Sequence, residues 1–170
     1  MKQQIIVSGL GGQGAVTLTR FLAEAALALG LPVITSETHG MAQRGGTVIS
    51  MVKAGAFRGP LIPAGAADLG LFLHEKNLAV HRHYVKPGGT LVVNASTPGD
   101  YFSVDALGLA ASLSLPPVTA NLVILGFAAS NNLFFCKGDL LEEIIREKSP
   151  PRFQEGNLKA FQAGRQAAGV

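Results

Sequence analysis

A glycine-rich stretch, GLGGQG at residues 9–14, is the part of this sequence whose residue types and spacing could do chemistry. Gly9, Gly11 and Gly14 match the G-x-G-x-x-G pattern that binds a pyrophosphate. In that pattern the first glycine permits a tight turn, the second lets a backbone N–H approach an anion, and the third allows close contact between helix and strand. An apolar run precedes the loop and a helical pattern follows it, which favours an anion site at a helix N-terminus. A turn that serves only packing is the alternative.

A second glycine-rich stretch, THGMAQRGGT, places an arginine before two glycines. A guanidinium beside exposed backbone suits a phosphate or carboxylate bound in bidentate fashion, although a hairpin turn with a solvated arginine explains the same residues. Just before this stretch, Glu37 ends a predicted strand, where its carboxylate could accept hydrogen bonds from ribose hydroxyls or form a local cap or salt bridge. The predicted anion-binding residues are Gly9, Gly11, Gly12, Gln13, Gly14, Gln43, Arg44, Gly45 and Gly46.

The remaining reactive residue types form no catalytic set. His81 and His83 lie two positions apart, which does not put them on one helical face, so a metal pair is disfavoured against solvated histidines. Cys136 lies between Phe135 and Lys137, in a setting typical of a buried thiol. The sequence SNN at residues 130–132 lacks the Gly-Asp-Gly that precedes the paired asparagines of a thiamine diphosphate site. The sequence therefore predicts an anion-binding edge without an acid, base, nucleophile or metal set.

The pattern of apolar residues predicts alternating strands and helices, which is typical of an α/β sandwich. We expect a single domain over residues 1–170 with a Rossmann-like parallel sheet and helices on both faces. The loops after Val7, Ser36 and Leu73 should then share the carboxyl edge of the sheet. The predicted strands are 5–7, 31–36, 47–52, 69–73 and 90–94, with a turn at 87–89; the predicted helices are 15–29, 75–84, 105–113, 119–135, 140–148 capped by Asp139, and 156–163.

Composition narrows the possible partners. Hydrophobic residues make up 48% of the 170 residues and charged residues 15%, which favours a chain whose surface is partly covered by a partner. A large, tightly packed core with many small Ala and Gly residues is the alternative explanation. The apolar segment 119–135, with little polar face, is the predicted contact. The 14 Lys and Arg residues are scattered and the net charge is +3, so nucleic-acid binding is not expected. With one cysteine, no signal peptide and no membrane span in the sequence, we expect a cytoplasmic protein that holds no iron–sulfur cluster by itself.

Four segments together resemble the gamma subunit or domain of 2-oxoacid:ferredoxin oxidoreductases. The version HGMAQRGG is most similar to the small beta subunit of indolepyruvate ferredoxin oxidoreductase, and only residues 97–117 match poorly. The four segments are GLGGQGAVTLTRFLAEAA, ETHGMAQRGGTV, GAADLGLFLHEKNLAVHRHYVKPGGTLVVN, and NLVILG with its asparagine and glycine.

The resemblance implies an accessory subunit that is inactive alone. It implies that thiamine diphosphate and iron–sulfur clusters lie in one or more larger partner subunits, that ferredoxin is reached only indirectly, and that the complex converts a 2-oxoacid to an acyl-CoA. Coenzyme A, through its pyrophosphate, or a neighbouring subunit becomes the expected occupant of the glycine-rich turn, and a homodimer is a possible state of the isolated chain. A free-standing NAD(P)-binding dehydrogenase or sensor is the alternative.

Overall fold

The computed structural model describes residues 1–38 and 46–170, which form one six-stranded sheet with helices packed on it. The strands are β1 (Gln3–Leu10), β2 (Val33–Thr38), β3 (Thr47–Ala54), β4 (Ala67–Phe72), β5 (Val85–Asn94) and β6 (Phe102–Val104). The helices are α1 (Ala15–Ala28), α2 (Asn77–His81), α3 (Ala106–Ser112), α4 (Ala120–Ser130), α5 (Gly138–Lys148) and α6 (Pro151–Gln166). Among the helices of these residues, none combines the length and apolar character needed to cross a membrane.

The sheet has the order β2-β3-β1-β4-β5-β6 and is parallel except at β3. β3 runs antiparallel to both neighbours, with Leu10 opposite Thr47 and Thr38 opposite Ile49. The segment between β2 and β3 is too short for the crossover that a parallel strand needs, so the chain turns back as a hairpin. β1 and β2 still run in the same direction, and their carboxyl ends meet at one edge of the sheet. The predicted α/β class is confirmed, and the reversed β3 is a feature that the apolar pattern did not predict.

β1 lies in the middle of the sheet and is buried on both faces. Ile5 and Val7 point into the larger core, which is closed by α1 and α3 to α6. Ile6 points into a smaller core with Phe72 and Ile62, closed by α2 and the segment after β3. A strand with two buried faces reads as a continuous apolar run, which is why this strand was predictable.

Helix α4 is covered by its own chain. All ten residues from Ala120 to Ala129 are buried, because the helix packs between the sheet and the helices α3 and α6. It ends at Ser130 and not at residue 135 as predicted, since Asn132 adopts a left-handed backbone conformation with φ of 56°. The expectation that this apolar helix forms an intersubunit contact is therefore wrong. Its apolar character reflects intramolecular burial.

Two glycines allow α4 and α6 to approach closely. A Cβ at Gly126 would collide with the carbonyl oxygen of Phe161, and a Cβ at Gly164 would collide with that of Val123. Each helix thus presents a glycine to the backbone of the other. Gly156 lies on the same helix as Gly164. A Cβ at Gly156 would lie 3.7 Å from the side chain of Leu115, which is an ordinary contact distance.

Three local predictions differ from the structure. The predicted turn at 87–89 lies inside β5 as a bulge, since the pairing jumps from Ala67–Val85 to Leu69–Thr90. The predicted helix 75–84 divides into α2 and a 3₁₀ turn at Arg82–Tyr84. Asp139 does not cap α5, whose N-cap is Lys137. The carboxylate of Asp139 instead accepts a hydrogen bond from Arg165 of α6 at 2.9 Å.

The close contact between α4 and α6 predicts opposite effects for the same substitution at two positions of α6. Gly164→Ala should lower the free energy of unfolding by about 1–3 kcal/mol, because the new methyl group overpacks the interface. Gly156→Ala should raise it by up to about 1 kcal/mol, because alanine favours the helix and meets no obstacle. Urea unfolding followed by circular dichroism measures both. Equal effects of the two substitutions would contradict the close approach.

Candidate functional site

The glycine-rich loop begins two residues later than its sequence pattern suggests, since β1 extends to Leu10. Gly9 lies inside β1, and the turn is made by Gly12 and Gly14, whose φ angles are +88° and +82°. A Cβ at Gly9 would come within 3.1 Å of the Cβ of Leu73. The predicted turn at Gly9 is therefore wrong. This position favours glycine because β1 passes close to Leu73 at the end of β4.

Gly14 is the N-cap of α1 and lies against α4. Its left-handed backbone suits glycine, and an added Cβ would collide with the amide nitrogen of Asn121. The same Asn121 nitrogen donates a hydrogen bond to the carbonyl of Gly14 at 3.2 Å. The close contact predicted between helix and strand is in fact a contact between the loop and the first turn of α4.

Gly11 does not offer its N–H to a ligand. Its amide donates to the carbonyl of Gly46 at 2.8 Å and so extends the β1–β3 ladder beyond the Leu10–Thr47 pair. This hydrogen bond leaves the amides that follow Gly11 as the predicted donors to an anion. Gly46, predicted as part of the anion site, instead ties the second glycine-rich stretch to the first.

Gln13 braces the loop from within. Its Oε1 accepts a hydrogen bond from the Leu10 amide at 2.7 Å, and its Nε2 donates to the carbonyl of Leu73 at 3.4 Å. The side-chain amide thus connects the end of β1 to the end of β4. Both of its polar atoms are engaged within the chain, which makes Gln13 a positioning residue for the loop.

A cavity of about 270 Å³ opens beside this loop at the carboxyl edge of the sheet. It brings together the glycines of the loop, the first residues of α1 and the ends of β2 and β3. The N-cap residue, Gly14, has no side chain and so places no acceptor against the amides of the first turn of α1. Those amides and the helix dipole favour a negatively charged group. The lining residues are Leu10, Gly11, Gly12, Gly14, Ala15, Val16, Glu37, Thr38, Val48 and Ser50.

The structure therefore unites the first glycine-rich stretch with Glu37, as the topology predicted. The predicted contributors Gln43, Arg44 and Gly45 lie outside the described residues, and their contribution to the cavity stays a prediction.

A polar cluster that sequence reasoning missed lies on the other face of β1. The Oγ of Ser8 is 2.6 Å from Nδ1 of His81 and accepts a hydrogen bond from Nδ2 of Asn77 at 2.9 Å. The same Asn77 nitrogen donates to the carbonyl of Gly9 at 2.8 Å. These bonds fasten α2 to the strand that leads into the glycine-rich loop. A serine interrupting the apolar run of β1 was the available signal.

The environment of His81 favours its neutral form. Partial burial, and secondarily the charge of His83, hold the pKa of His81 below its ordinary value of 6.5. Because Ser8 already accepts from Asn77, its single hydroxyl proton is available for the unprotonated Nδ1 of His81. The expectation of a freely solvated histidine was wrong for this residue.

Other reactive groups lie away from the cavity. Cys136 is buried as predicted, and its burial raises the pKa of the thiol to about 12, which makes it a poor nucleophile. Within residues 1–38 and 46–170, no group of three or more His, Cys, Asp or Glu residues could hold a metal ion. The described part of the chain thus combines a cavity at the carboxyl edge of the sheet with hydrogen bonds that hold the surrounding backbone in place.

The sequence matches the family model described as "Pyruvate ferredoxin/flavodoxin oxidoreductase" over residues 4–167. The chain belongs to this family. It is 30% identical over 192 aligned positions to indolepyruvate oxidoreductase subunit IorB of Thermococcus kodakarensis, with 96% of this chain and 95% of that protein covered. A shorter alignment to the subunit of the same name from Archaeoglobus fulgidus is 43% identical over 94 residues and covers 55% of this chain and about half (47%) of that protein.

Solved structures of the family share the fold. The gamma subunit of a keto/oxoacid ferredoxin oxidoreductase from Geobacter sulfurreducens superposes with a TM-score of 0.74 at 28% identity, covering 95% of both chains. A 2-oxoglutarate:ferredoxin oxidoreductase from Magnetococcus marinus, with 2-oxoglutarate, coenzyme A and succinyl-CoA bound, gives a TM-score of 0.79 at 22% identity. The superposition covers 96% of this chain and 30% of that longer chain. The fold thus occurs in the family both as a separate subunit and as part of a larger chain.

The Ser8–His81 hydrogen bond predicts a loss of stability in mild acid. Since the pKa of His81 is lowered on folding, the unfolded chain binds more protons between the folded pKa and 6.5, and stability must fall as pH decreases through that window. In His81→Gln the amide can still accept the Ser8 proton but does not titrate. Urea midpoints of the isolated chain measured from pH 8 to pH 5 should therefore fall more steeply for wild type than for His81→Gln. Parallel curves would contradict the neutral-histidine assignment.

Proposed function

We propose that this chain is an accessory subunit of a 2-oxoacid:ferredoxin oxidoreductase and that its glycine-rich edge helps to bind coenzyme A during formation of the acyl-CoA product. Membership in the family supports the first part, since the relatives are named as subunits and not as whole enzymes. The relatives differ in the 2-oxoacid of their names, and no feature of this chain selects among them.

The cavity at the N-terminus of α1 is the observation that carries the coenzyme A assignment. Its backbone is exposed because Gly12 and Gly14 carry no side chains, and the uncapped first turn of α1 offers amide donors to an anion. The Gly11 amide is already engaged, so a pyrophosphate would use the amides of Gly12 and of the first turn of α1. Arg44 is proposed as a second contact to phosphate, on the strength of its sequence pattern.

The cofactors that carry out the oxidation are assigned to partner subunits. An iron–sulfur cluster commonly requires four cysteine ligands, and the sequence contains a single cysteine. Thiamine diphosphate is assigned to a larger partner as well, which in this proposal also passes electrons to ferredoxin. This chain then contributes shape, backbone donors and positive charge, without itself bonding to the reacting carbon.

A dinucleotide is the second candidate ligand, because Glu37 and the glycine-rich loop line the same cavity. In dinucleotide-binding proteins an acidic residue at the end of the second strand accepts hydrogen bonds from ribose hydroxyls. Calorimetric titration of the purified chain with NADH separates the two proposals. Binding of NADH that is weakened in Glu37→Gln would favour a free-standing NAD(P)-binding protein over an oxidoreductase subunit.

Val16 offers a direct test of the anion site. It is the second residue of α1, it is 43% exposed and it lines the cavity. Val16→Glu should leave folding intact, because a carboxylate is favourable at a helix N-terminus, yet it should repel the phosphates of coenzyme A. We expect the KM for coenzyme A to rise about tenfold or more in the assembled complex, as like charges at an interface cost at least 1.4 kcal/mol.

Val16→Gln is the matched control, with the same shape and no charge, and it should leave the KM within about threefold of wild type. Decarboxylation of the 2-oxoacid, assayed without coenzyme A, should be unchanged in both variants. A KM that is the same in Val16→Glu and Val16→Gln would contradict a coenzyme A site at this edge.

Arg44 gives an independent prediction from the sequence pattern. Arg44→Ala should weaken coenzyme A binding in the complex by roughly ten- to a hundredfold, since a charge-assisted hydrogen bond contributes on the order of 1.5–3 kcal/mol. Arg44→Lys should recover only part of the loss, because an ammonium group cannot make the bidentate contact. Loss of complex assembly with unchanged coenzyme A affinity would show instead that the arginine contacts another subunit.

A further inference from the structure

A second groove, of about 300 Å³, lies between the outer face of α1 and the first turns of α4 and α6. We call it the Arg20 groove and define it by Thr17, Arg20, Val118, Leu122, Pro150 and Phe153. Val118 and Phe153 are exposed by 46% and 48%, although both are large apolar side chains. The groove therefore combines apolar walls with an arginine.

Positive charge in this groove is not compensated by residues 1–38 or 46–170, the part of the chain that the structure describes. Arg20 forms no hydrogen bond or ion pair with any residue that the structure describes; its guanidinium lies 5.8 Å from the ring centre of its neighbour Phe21. Glu24, one turn further along α1, is already paired with Lys148 at 3.7 Å. No described aspartate or glutamate lines the groove.

A second guanidinium reinforces the charge. Arg152 lies 4.6 Å above the ring of Phe153, at the rim of the groove. A complementary surface must therefore bring negative charge together with apolar groups.

Three polar side chains of the groove are hydrogen-bonded within the chain. Asn121 donates to Gly14, Thr119 donates to the carbonyl of Pro116 at 2.6 Å, and Asn157 donates to Ser149 at 3.1 Å. What remains for an outside partner is the guanidinium of Arg20, the hydroxyl of Thr17 and the apolar surface of Val118 and Phe153. Arginine beside an aromatic ring is the composition enriched in the energetic centres of protein interfaces.

We propose that the Arg20 groove docks a segment of the larger partner subunit that presents a carboxylate to Arg20 and an apolar side chain to Val118 and Phe153. This inference rests on the proposed function, in which the chain is one subunit of a complex. Val16 lines the coenzyme A cavity and the adjacent Thr17 lines the groove, so the docked segment lies next to that cavity.

Two other occupants fit the groove less well. A symmetric dimer that paired two copies of the groove would bring two uncompensated arginines together, since such an interface uses the same patch on both subunits. A small ligand usually needs several convergent polar groups to fix its orientation, and most polar side chains here are already engaged.

The test uses charge reversal and apolar truncation in the complex. Arg20→Glu and Phe153→Ser are each introduced into tagged chain that is co-expressed with the thiamine- and cluster-bearing subunit, and the dissociation constant of the purified pair is measured by biolayer interferometry. We expect each variant to weaken association at least tenfold, as truncation of an interface centre does. The wild-type complex should also dissociate more readily at high salt, and this dependence should be smaller in Arg20→Gln.

Arg58→Glu and Leu61→Ser are the matched controls. Both residues are exposed, and both lie in the segment after β3 that packs on the opposite face of the sheet through Ile62. We expect association within about twofold of wild type for each. Thermal melting of the isolated variants checks that all four remain folded.

The possible outcomes distinguish failure of the proposed function from failure of the docking inference. Failure of the wild-type chain to copurify with any thiamine-bearing subunit would overturn the proposed function. A wild-type complex whose affinity is unchanged in Arg20→Glu and Phe153→Ser would overturn the docking inference alone. Loss of self-association, or loss of coenzyme A binding with normal assembly, would assign the groove to a second copy of the chain or to a small ligand and would equally overturn it.

Discussion

The contact between Gly14 and Asn121 holds the candidate site together. The carbonyl of Gly14 receives the Asn121 amide, and the missing side chain of Gly14 leaves the space in which that amide lies. The start of α1 is thereby fixed against the start of α4, and both helix N-termini come to the same edge of the sheet. A larger residue at either position would move α1 and with it the amides that face the cavity. Gly14 and Asn121, which are far apart in the sequence, are thus coupled by one packing contact.

Around this contact, the polar groups of the edge are used mostly to hold backbone in place. Gln13 bridges the ends of β1 and β4, and Gly11 prolongs the ladder to β3. On the opposite face of β1, Ser8, Asn77 and His81 fasten α2 to the strand that enters the loop. An edge braced on both faces presents a preorganised backbone surface, and preorganisation would lower the entropic cost of the anion binding that we propose. The same hydrogen bonds engage most of the polar side chains of the loop.

The distribution of apolar surface explains how such a chain can be an incomplete enzyme. Its most apolar helix, α4, is enclosed by the sheet and by α6, where Gly126 and Gly164 let the two backbones meet. Part of the exposed apolar surface, at Val118 and Phe153, lies in the groove that contains Arg20. Low overall charge therefore reflects a large internal core. The surface that we propose for a partner combines positive charge with exposed apolar side chains.

Much of the fold followed from the sequence because the signals were local. The apolar run at β1 and the helical spacing from Leu18 to Leu29 each specify an element through its own burial. The last helix was predicted from residue 156 and begins at Pro151, because proline is tolerated at the first position of a helix. The topology also placed Glu37 and the glycine-rich loop at one edge, because strands of the same direction end on the same side. The family resemblance followed from motifs that recur at fixed spacing.

Tertiary structure alone decided the roles of individual residues at the site. Close contacts with Leu73 and Asn121 favour glycine at positions 9 and 14, and the Gly11 amide donates a hydrogen bond to the carbonyl of Gly46. The neighbouring sequence reveals none of these contacts. The direction of β3 depended on loop length, and the burial of α4 depended on a helix that follows it in the chain. A sequence pattern predicts which residues of a segment can be buried and where the chain can turn. Which groups remain available to a ligand or a partner depends on hydrogen bonds and contacts made between distant segments.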